Sequence, residues 1–171
     1  MEFFEVTKRR RSIRIFESKK IERDKLNQIL EAANLAPSAG NLQSYEIILI
    51  RDWRKKKKIA EASYNQNFIA QAPIVLIFCA NFLRSIRYGE RGKLYAIQDA
   101  TIACAHAHLA TTAVGLGSCW VGAFNEHEIK EIINTPEHIK PIAILPIGYG
   151  AQKPYKTLRR RLDEIVKEEE L

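Results

Sequence analysis

GKLYAIQDATIACAHAHLATTAV, residues 92–114, is the longest stretch of one periodic character in the chain. Alanine recurs at Ala96, Ala100, Ala103, Ala105, Ala107, Ala110 and Ala113, and charge is scarce after Asp99. A helix with small residues on nearly every side is buried on most faces, at a domain centre or against another subunit. Gly115 and Gly117 supply its end, as glycine commonly does. Downstream, Asn125 with Glu128 three residues later reads as a capping box opening a helix to Asn134, with Pro136 beyond it. Residues 142–147 are the last clear strand; the tail from 151 is polar and basic, then helix-like from Leu162. Upstream, Leu26, Ile29, Leu30 and Ala33 recur at helical spacing, so residues 21–35 read as an amphipathic helix that ends before Pro37. Residues 46–50 and 74–79 are apolar runs of strand length. Between them, residues 52–63 form a charged helix whose lysine run faces water. Long helices among few strands, in no repeating order, predict the α+β class rather than a regular βαβ array.

The 171 residues, at roughly 150 per domain, predict one domain, residues 1–171. With 46% hydrophobic and 27% charged residues, the chain has the composition of a folded globule. No apolar run approaches the roughly 18 residues of a membrane helix. The opening MEFFEVTKRRR places acids and aromatics before the basic cluster, the wrong order for a signal peptide. Three cysteines, Cys79, Cys104 and Cys119, sit in apolar surroundings, and an odd number argues against a disulfide framework. A cytoplasmic protein is expected. Lys plus Arg number 27 against 20 Asp plus Glu, a net charge of +7 that favours anionic partners: nucleic acid, acidic lipid or a phosphate-bearing cofactor. The surplus lies in three clusters, Lys8 with Arg9, Arg10, Arg11 and Arg14, then residues 54–58, then residues 156–161; the acids end in Glu168, Glu169 and Glu170.

Hydrolytic and nucleotide-binding signatures are missing: no GxSxG, HExxH, CxxC, Walker loop or GxGxxG occurs. Cys104, His106 and His108 are the best metal candidate, but Cys104 and His108 share a helix face while His106 points elsewhere, so this segment alone cannot supply three ligands; a core-packed cysteine and a hydrogen-bonded histidine is the favoured reading. Arg10, Arg11, Ser12 and Arg14 are more pointed. Guanidinium groups flanking a hydroxyl suit a phosphate, though a solvated basic stretch has the same composition. Arg159, Arg160 and Arg161 share that ambiguity, and the two clusters matter only if the fold joins them. PSAGNLQ at 37–43 is a helix-to-strand loop whose hydroxyl, amides and accessible glycine also suit a heteroaromatic ring. GSCWVGAF at 117–124 is either a tight strand or a place where backbone N–H groups approach a flat ligand.

In this order, RRSIRIF at 10–16, APSAGNLQS at 36–44, GLGSCWVGAF at 115–124, AILPIGYG at 143–150 and the basic segment before LDEIV at 162–166 resemble the FMN-dependent nitroreductase family in its short single-domain form. The resemblance covers nearly the whole chain. It implies an α+β, nitroreductase-like fold with a central mixed β-sheet flanked by helices, in an intertwined homodimer. Two FMN sites would lie at the subunit interface, with the tail from about 151 to 171 extending onto the partner. It further implies hydride transfer from NAD(P)H through the flavin to a nitroaromatic, quinone or similar acceptor by a ping-pong mechanism, with no catalytic side chain and no metal. Arg10, Ser12 and Arg159 would hold the FMN phosphate, Arg11 would add contacts, and Arg160 is a second tail candidate. Arg14 would lie near the pyrimidine edge, where a guanidinium stabilises the reduced anion. Pro37, Ser38, Ala39 and Asn41 would come from the partner chain, and the N–H groups of Val121 and Gly122 would face N5 and O4. Residues 65–67 would offer a further ring contact. Three positions depart from the family: Ser44-Tyr45 replaces the common Pro-Trp, Arg161 replaces a common proline, and the short stretch from Asn81 to Gly92 predicts a more open pocket. Two other readings are a basic nucleic-acid-binding protein and a same-fold flavoprotein with dehydrogenase or dehalogenase chemistry. The first lacks exposed aromatics among its basic clusters and any RNP, KH or helix-turn-helix signature; the second lacks the extra lid segments.

Overall fold

A continuous apolar run occupies the middle of the structure because both of its faces are covered. This is β2 (Ile74–Asn81), every residue of which is buried except the last. It pairs antiparallel with β1 (Tyr45–Ile50) on one side and β4 (Ile139–Gly148) on the other, and β3 (Gly117–Ser118) completes the order β1-β2-β4-β3. Side chains alternate across a strand, so Val75, Ile77 and Cys79 enter one apolar cluster and Ile74, Leu76 and Phe78 enter another. The register slips between Phe78 and Cys79, opposite Pro141, which has no N–H to give to the ladder. The computed structural model describes residues 2–153, 155 and 157–169; Lys156 of the third basic cluster and Glu170 of the acidic end lie outside them.

Helices cover both faces. On one lie α3 (Trp53–Ala62), α4 (Phe68–Gln71) and α6 (Glu126–Ile133), which supply Ile59, Ile69 and Ile129. The other is covered by α2 (Arg23–Asn34) and α5 (Arg91–Ala113), whose Leu26, Ile29, Ala103 and Ala107 meet Leu76 and Leu145. The alanine-rich stretch is thus one 23-residue helix. Its side bearing Ala96, Ala100, Ala103, Cys104 and Ala107 is buried, and its other side remains half-exposed within the single chain. Two short helices bracket the molecule, α1 (Phe3–Arg9) and α7 (Leu162–Ile165). None of the described helices is long and apolar enough to cross a membrane.

The structure amends several expectations. All described strand ladders are antiparallel, and the mixed character of the sheet reduces to one parallel bridge, Ser12 to Ser118. The lysine run of α3 does not all face water: Lys56 is buried, its Nζ donating to the Ala72 carbonyl at 2.6 Å, and burial holds its pKa below the usual lysine value. Half of the expected capping box forms. Asn125 accepts from the Glu128 N–H, but the Glu128 carboxylate turns to the Asn125 side-chain amide, because the Asn125 backbone N–H is taken by Ala62. The helices α1 and α4 carry too few turns to show a period.

The segment after α1 is bound to the sheet by backbone. Ile13 N–H donates to the Ser118 carbonyl at 3.0 Å, and the two chains approach so closely that a Cβ on Gly117 would lie 2.7 Å from the Ile13 side chain. Gly117→Ala therefore displaces Ile13 and should lower the free energy of unfolding by about 1–3 kcal/mol. Urea denaturation of the two proteins measures it; equal midpoints would mean that the segment yields without cost.

Candidate functional site

Backbone pairing at two points brings the basic head and basic tail together. Residues 15–17 run beside the end of β4: Glu17 N–H donates to the Tyr149 carbonyl at 2.8 Å, and Ala151 N–H to the Ile15 carbonyl at 2.9 Å. The tail consequently departs beside the head. Thr7, Lys8, Arg11, Thr157 and Arg159 then line a cavity of about 540 Å³ with three cations, two hydroxyls and no carboxylate. Arg11 is held over the last turn of α1, its Nη1 donating to the Lys8 carbonyl at 2.6 Å and the Arg10 carbonyl at 2.7 Å. These are carbonyls at a helix C-terminus, where a cation is favoured. Arg10 is half-buried. Burial first, then the neighbouring charges of Arg159 and Arg11, push its pKa below the usual arginine value.

Of the three tail arginines, Arg159 alone lines this cavity. Arg160 reaches the Glu164 carbonyl at 2.6 Å and the Glu164 carboxylate at 3.6 Å, and Arg161 pairs with Asp163. The acids of LDEIV thereby draw two of the three guanidinium groups toward α7.

Ser12 sits at the bridge to Ser118, next to Cys119. Burial raises the Cys119 pKa, against opposing effects of Arg14, the Ser12 hydroxyl and Arg10, so Cys119 is a thiol ringed by these groups. Arg14 is exposed, its guanidinium carbon 5.9 Å from the centre of the Phe68 ring. Gln66 links that region to the 117–124 segment, donating to the Ser63 carbonyl at 2.9 Å and the Ala123 carbonyl at 3.1 Å. One expectation fails here. The Val121 N–H does not point to a ligand; it donates to the Ile144 carbonyl at 2.9 Å, and Val121 is buried as an added bridge on β4. Gly122 is exposed, and its N–H meets no acceptor among the described residues.

The loop at 37–43 is built on a buried carboxylate. Asp99, only 2% exposed on the buried side of α5, accepts the Ala39 N–H on Oδ1 at 2.9 Å and the Ser44 N–H on Oδ2 at 3.2 Å. Between these anchors the backbone turns through positive φ at Gly40, Asn41 and Gln43, and Ser38 Oγ accepts the Gln43 N–H at 3.0 Å. Residues 82–90 pack from outside, with Arg84 donating to the Leu42 carbonyl and Arg87 to the Gly40 carbonyl. Pro37, Ser38 and Ala39 with Tyr95, Gln98, Asp99, Thr101 and Ile102 line a second cavity of about 510 Å³. The two cavities share no lining residue. Arg10, Arg11, Ser12, Arg14 and Arg159 gather in one place; Pro37, Ser38, Ala39 and the exposed Asn41 gather in another.

Sequence reasoning missed Lys8, Thr7 and Thr157 in the first cavity, and Asp99 in the second. Asp99 had a signal, since it is the single charge between residues 94 and 113 of a helix read as buried, and a buried carboxylate needs donors. No group of metal-ligating side chains occurs among the described residues; Cys104 is packed in the core, as the sequence reading favoured.

Residues 7–149 match the sequence model of the nitroreductase family. The chain is 35% identical over 164 residues to the FMN reductase (NAD(P)H) of Bacillus subtilis, covering 87% of this chain and 66% of that one, so it spans about two thirds of that relative's length. It is 29% identical over 187 residues to an NADH dehydrogenase of Thermus thermophilus, with 92% and 91% covered. Among solved structures, the hypothetical oxidoreductase YcnD of Bacillus subtilis superposes with a TM-score of 0.92 at 31% identity, over 99% of this chain and 75% of that one. Bacillus megaterium NfrA2 gives 0.93 at 29% identity, over 100% and 76%. With the match running from the last turn of α1 through β4 over a shared backbone, this chain belongs to the nitroreductase family.

Proposed function

We propose that two copies of this chain enclose two FMN molecules and carry hydride from NAD(P)H to a small oxidised acceptor, a nitroaromatic or quinone, in ping-pong order. The observation that carries this reading is the cavity of Thr7, Lys8, Arg11, Thr157 and Arg159, which offers an anion three cations and no opposing carboxylate. Membership of a family whose relatives include an FMN reductase (NAD(P)H) supports the identity of that anion as the flavin's phosphate.

The residues fit such a cofactor. Arg11 and Arg159, with Lys8 and the two threonines, would take the phosphate oxygens, and charge-assisted donors of this kind are the strong ones. The half-buried Arg10, beside Arg159 and Arg11, would add its guanidinium to the phosphate, and Ser12 its hydroxyl. The exposed Gly122 N–H would meet the ring, while Arg14 would hold the negative charge that gathers at the pyrimidine edge. When bound, the flavin supplies hydride acceptance and donation, so the protein needs no nucleophile or general base of its own. Pro37, Ser38, Ala39 and Asn41, standing apart from the cationic cavity, would cover the ring of the partner's flavin. Apolar side chains left uncovered in the single chain agree with a dimer into which residues 1–171 enter as one domain with the tail lying on the partner: Tyr155, Leu158, Leu162 and Ile165 in the tail, and Phe3 and Phe4 in α1. The half-exposed side of α5, with Ile102, Ala105, Leu109, Ala110 and Ala113, suits the same contact.

Two outcomes test this. The purified protein should be yellow with FMN, and combining Arg10→Ala with Arg159→Ala should weaken FMN binding by about 100-fold or more, from two lost charge-assisted contacts. Arg160→Ala, whose partner is an exposed carboxylate, should change it by less than about threefold. Unchanged flavin affinity in the double variant, measured by fluorescence titration, removes the phosphate assignment. For the two-chain site, an Arg10→Ala/Arg159→Ala protein is mixed and reassembled with an Asn41→Ala/Ser38→Ala protein. Heterodimers should regain one tight flavin site of two, and no recovery would mean that each site lies within one chain.

A further inference from the structure

His108 has no part in the mechanism above, yet it stands behind its key cation. It lies on the buried side of α5, 7% exposed, and both ring nitrogens are engaged. Its Nε2 is 3.2 Å from Arg10 Nη1, and its Nδ1 is 2.7 Å from Ser118 Oγ. A guanidinium only donates, so Nε2 must accept from Arg10. A neutral imidazole with its lone pair at Nε2 carries its proton at Nδ1, which therefore donates to Ser118. Ser118 is itself fixed, paired with Ile147 in the sheet and accepting the Ile13 N–H on its carbonyl. The chain Ser118, His108, Arg10 thus runs from rigid sheet to a half-buried guanidinium crowded by Arg159 and Arg11.

We infer that His108 is a positioning residue: held as the Nδ1–H tautomer, it anchors the Arg10 guanidinium from behind and leaves its remaining N–H groups aimed at the ligand's phosphate. The inference rests on the FMN reading of the cationic cavity and concerns the phosphate end alone. The charged and titratable neighbours all favour a neutral ring. Arg10 faces it, Arg11 and Arg159 stand behind Arg10, and Cys119 beside Ser118 and Cys104 one turn back on α5 have thiol pKa values raised by burial. Burial and the Arg10 charge push the His108 pKa down to about 4. The sign of the linkage follows. The unfolded ring takes up its proton near 6.5 and the folded one near 4, so the unfolded state binds more protons in between. The part of the apoprotein's stability that depends on the neutral His108 ring is intact above pH 6.5 and is lost as pH falls toward 4.

The test compares His108→Gln with His108→Asn. Glutamine places Oε1 near the Nε2 position and can still accept from Arg10; asparagine reaches Ser118 but falls short of Arg10. FMN and riboflavin, which lacks the phosphate, are titrated into each apoprotein at pH 7 by flavin fluorescence. His108→Asn should weaken FMN by about 10-fold, the worth of one hydrogen bond to a charged group, with riboflavin unchanged. His108→Gln should stay within about threefold of the wild type for both. The ¹⁵N shifts of the wild-type ring should report the Nδ1–H tautomer at pH 7, and acid between pH 6.5 and 4 should lower the unfolding midpoint of the wild type more than that of His108→Gln. Equal FMN affinity in the wild type and His108→Asn, equal weakening of FMN and riboflavin, or an Nε2–H ring overturns the positioning role while leaving the FMN site standing. Failure of the wild type to bind FMN at all overturns both.

Discussion

The cationic part of this molecule depends on how residues 12–17 are paired. Ser12 and Ile13 are bound to Ser118 at the edge of the sheet, and Phe16 and Glu17 to the end of β4. One short strip of backbone therefore touches both the 117–124 segment and the root of the tail. That contact converts basic clusters about 150 residues apart into one cavity, and close approach at Gly117 and Gly148 is what makes it possible: a Cβ on Gly148 would meet Pro73 and Phe16 within 3 Å.

Gathering like charges is unfavourable, and the structure offsets it locally rather than with carboxylates. Arg11 is neutralised in part by carbonyls at the end of α1, and Arg10 by an imidazole lone pair. The available acids are used elsewhere, Glu164 and Asp163 on Arg160 and Arg161. A cavity whose cations are oriented by neutral acceptors keeps its attraction for an anion, because no internal counter-ion competes.

The 37–43 loop obeys an opposite logic. Asp99 is a buried anion without an ion-pair partner among the described residues, and two backbone N–H groups satisfy it at both ends of the 39–44 turn. Hydrogen bonds to a charged group are worth more than those between neutral ones, and they hold a loop that passes through the left-handed region at Gly40, Asn41 and Gln43. The hydrogen-bonded loop and the cationic cavity, set apart in one chain, are what the proposed two-chain site requires.

Much of the fold was legible because its signals are local. The period of Leu26, Ile29 and Ala33, the apolar runs of β1 and β2, and the Asn125 cap each report a structure formed by near neighbours, and α2, α3, α5 and α6 formed within a residue or two of the expected bounds. The family was legible too, from five motifs in order. Residues acting across long separations were not. That Lys56 is buried on Ala72, that Val121 gives its N–H to Ile144, and that Arg159 rather than Arg160 faces the head are outcomes of pairing between distant segments. By itself, the order of residues determined which elements form and which chemistry they carry. Only the tertiary structure decided which donors remain free for a ligand, because a backbone or guanidinium N–H is available only after the rest of the chain has taken its own hydrogen bonds.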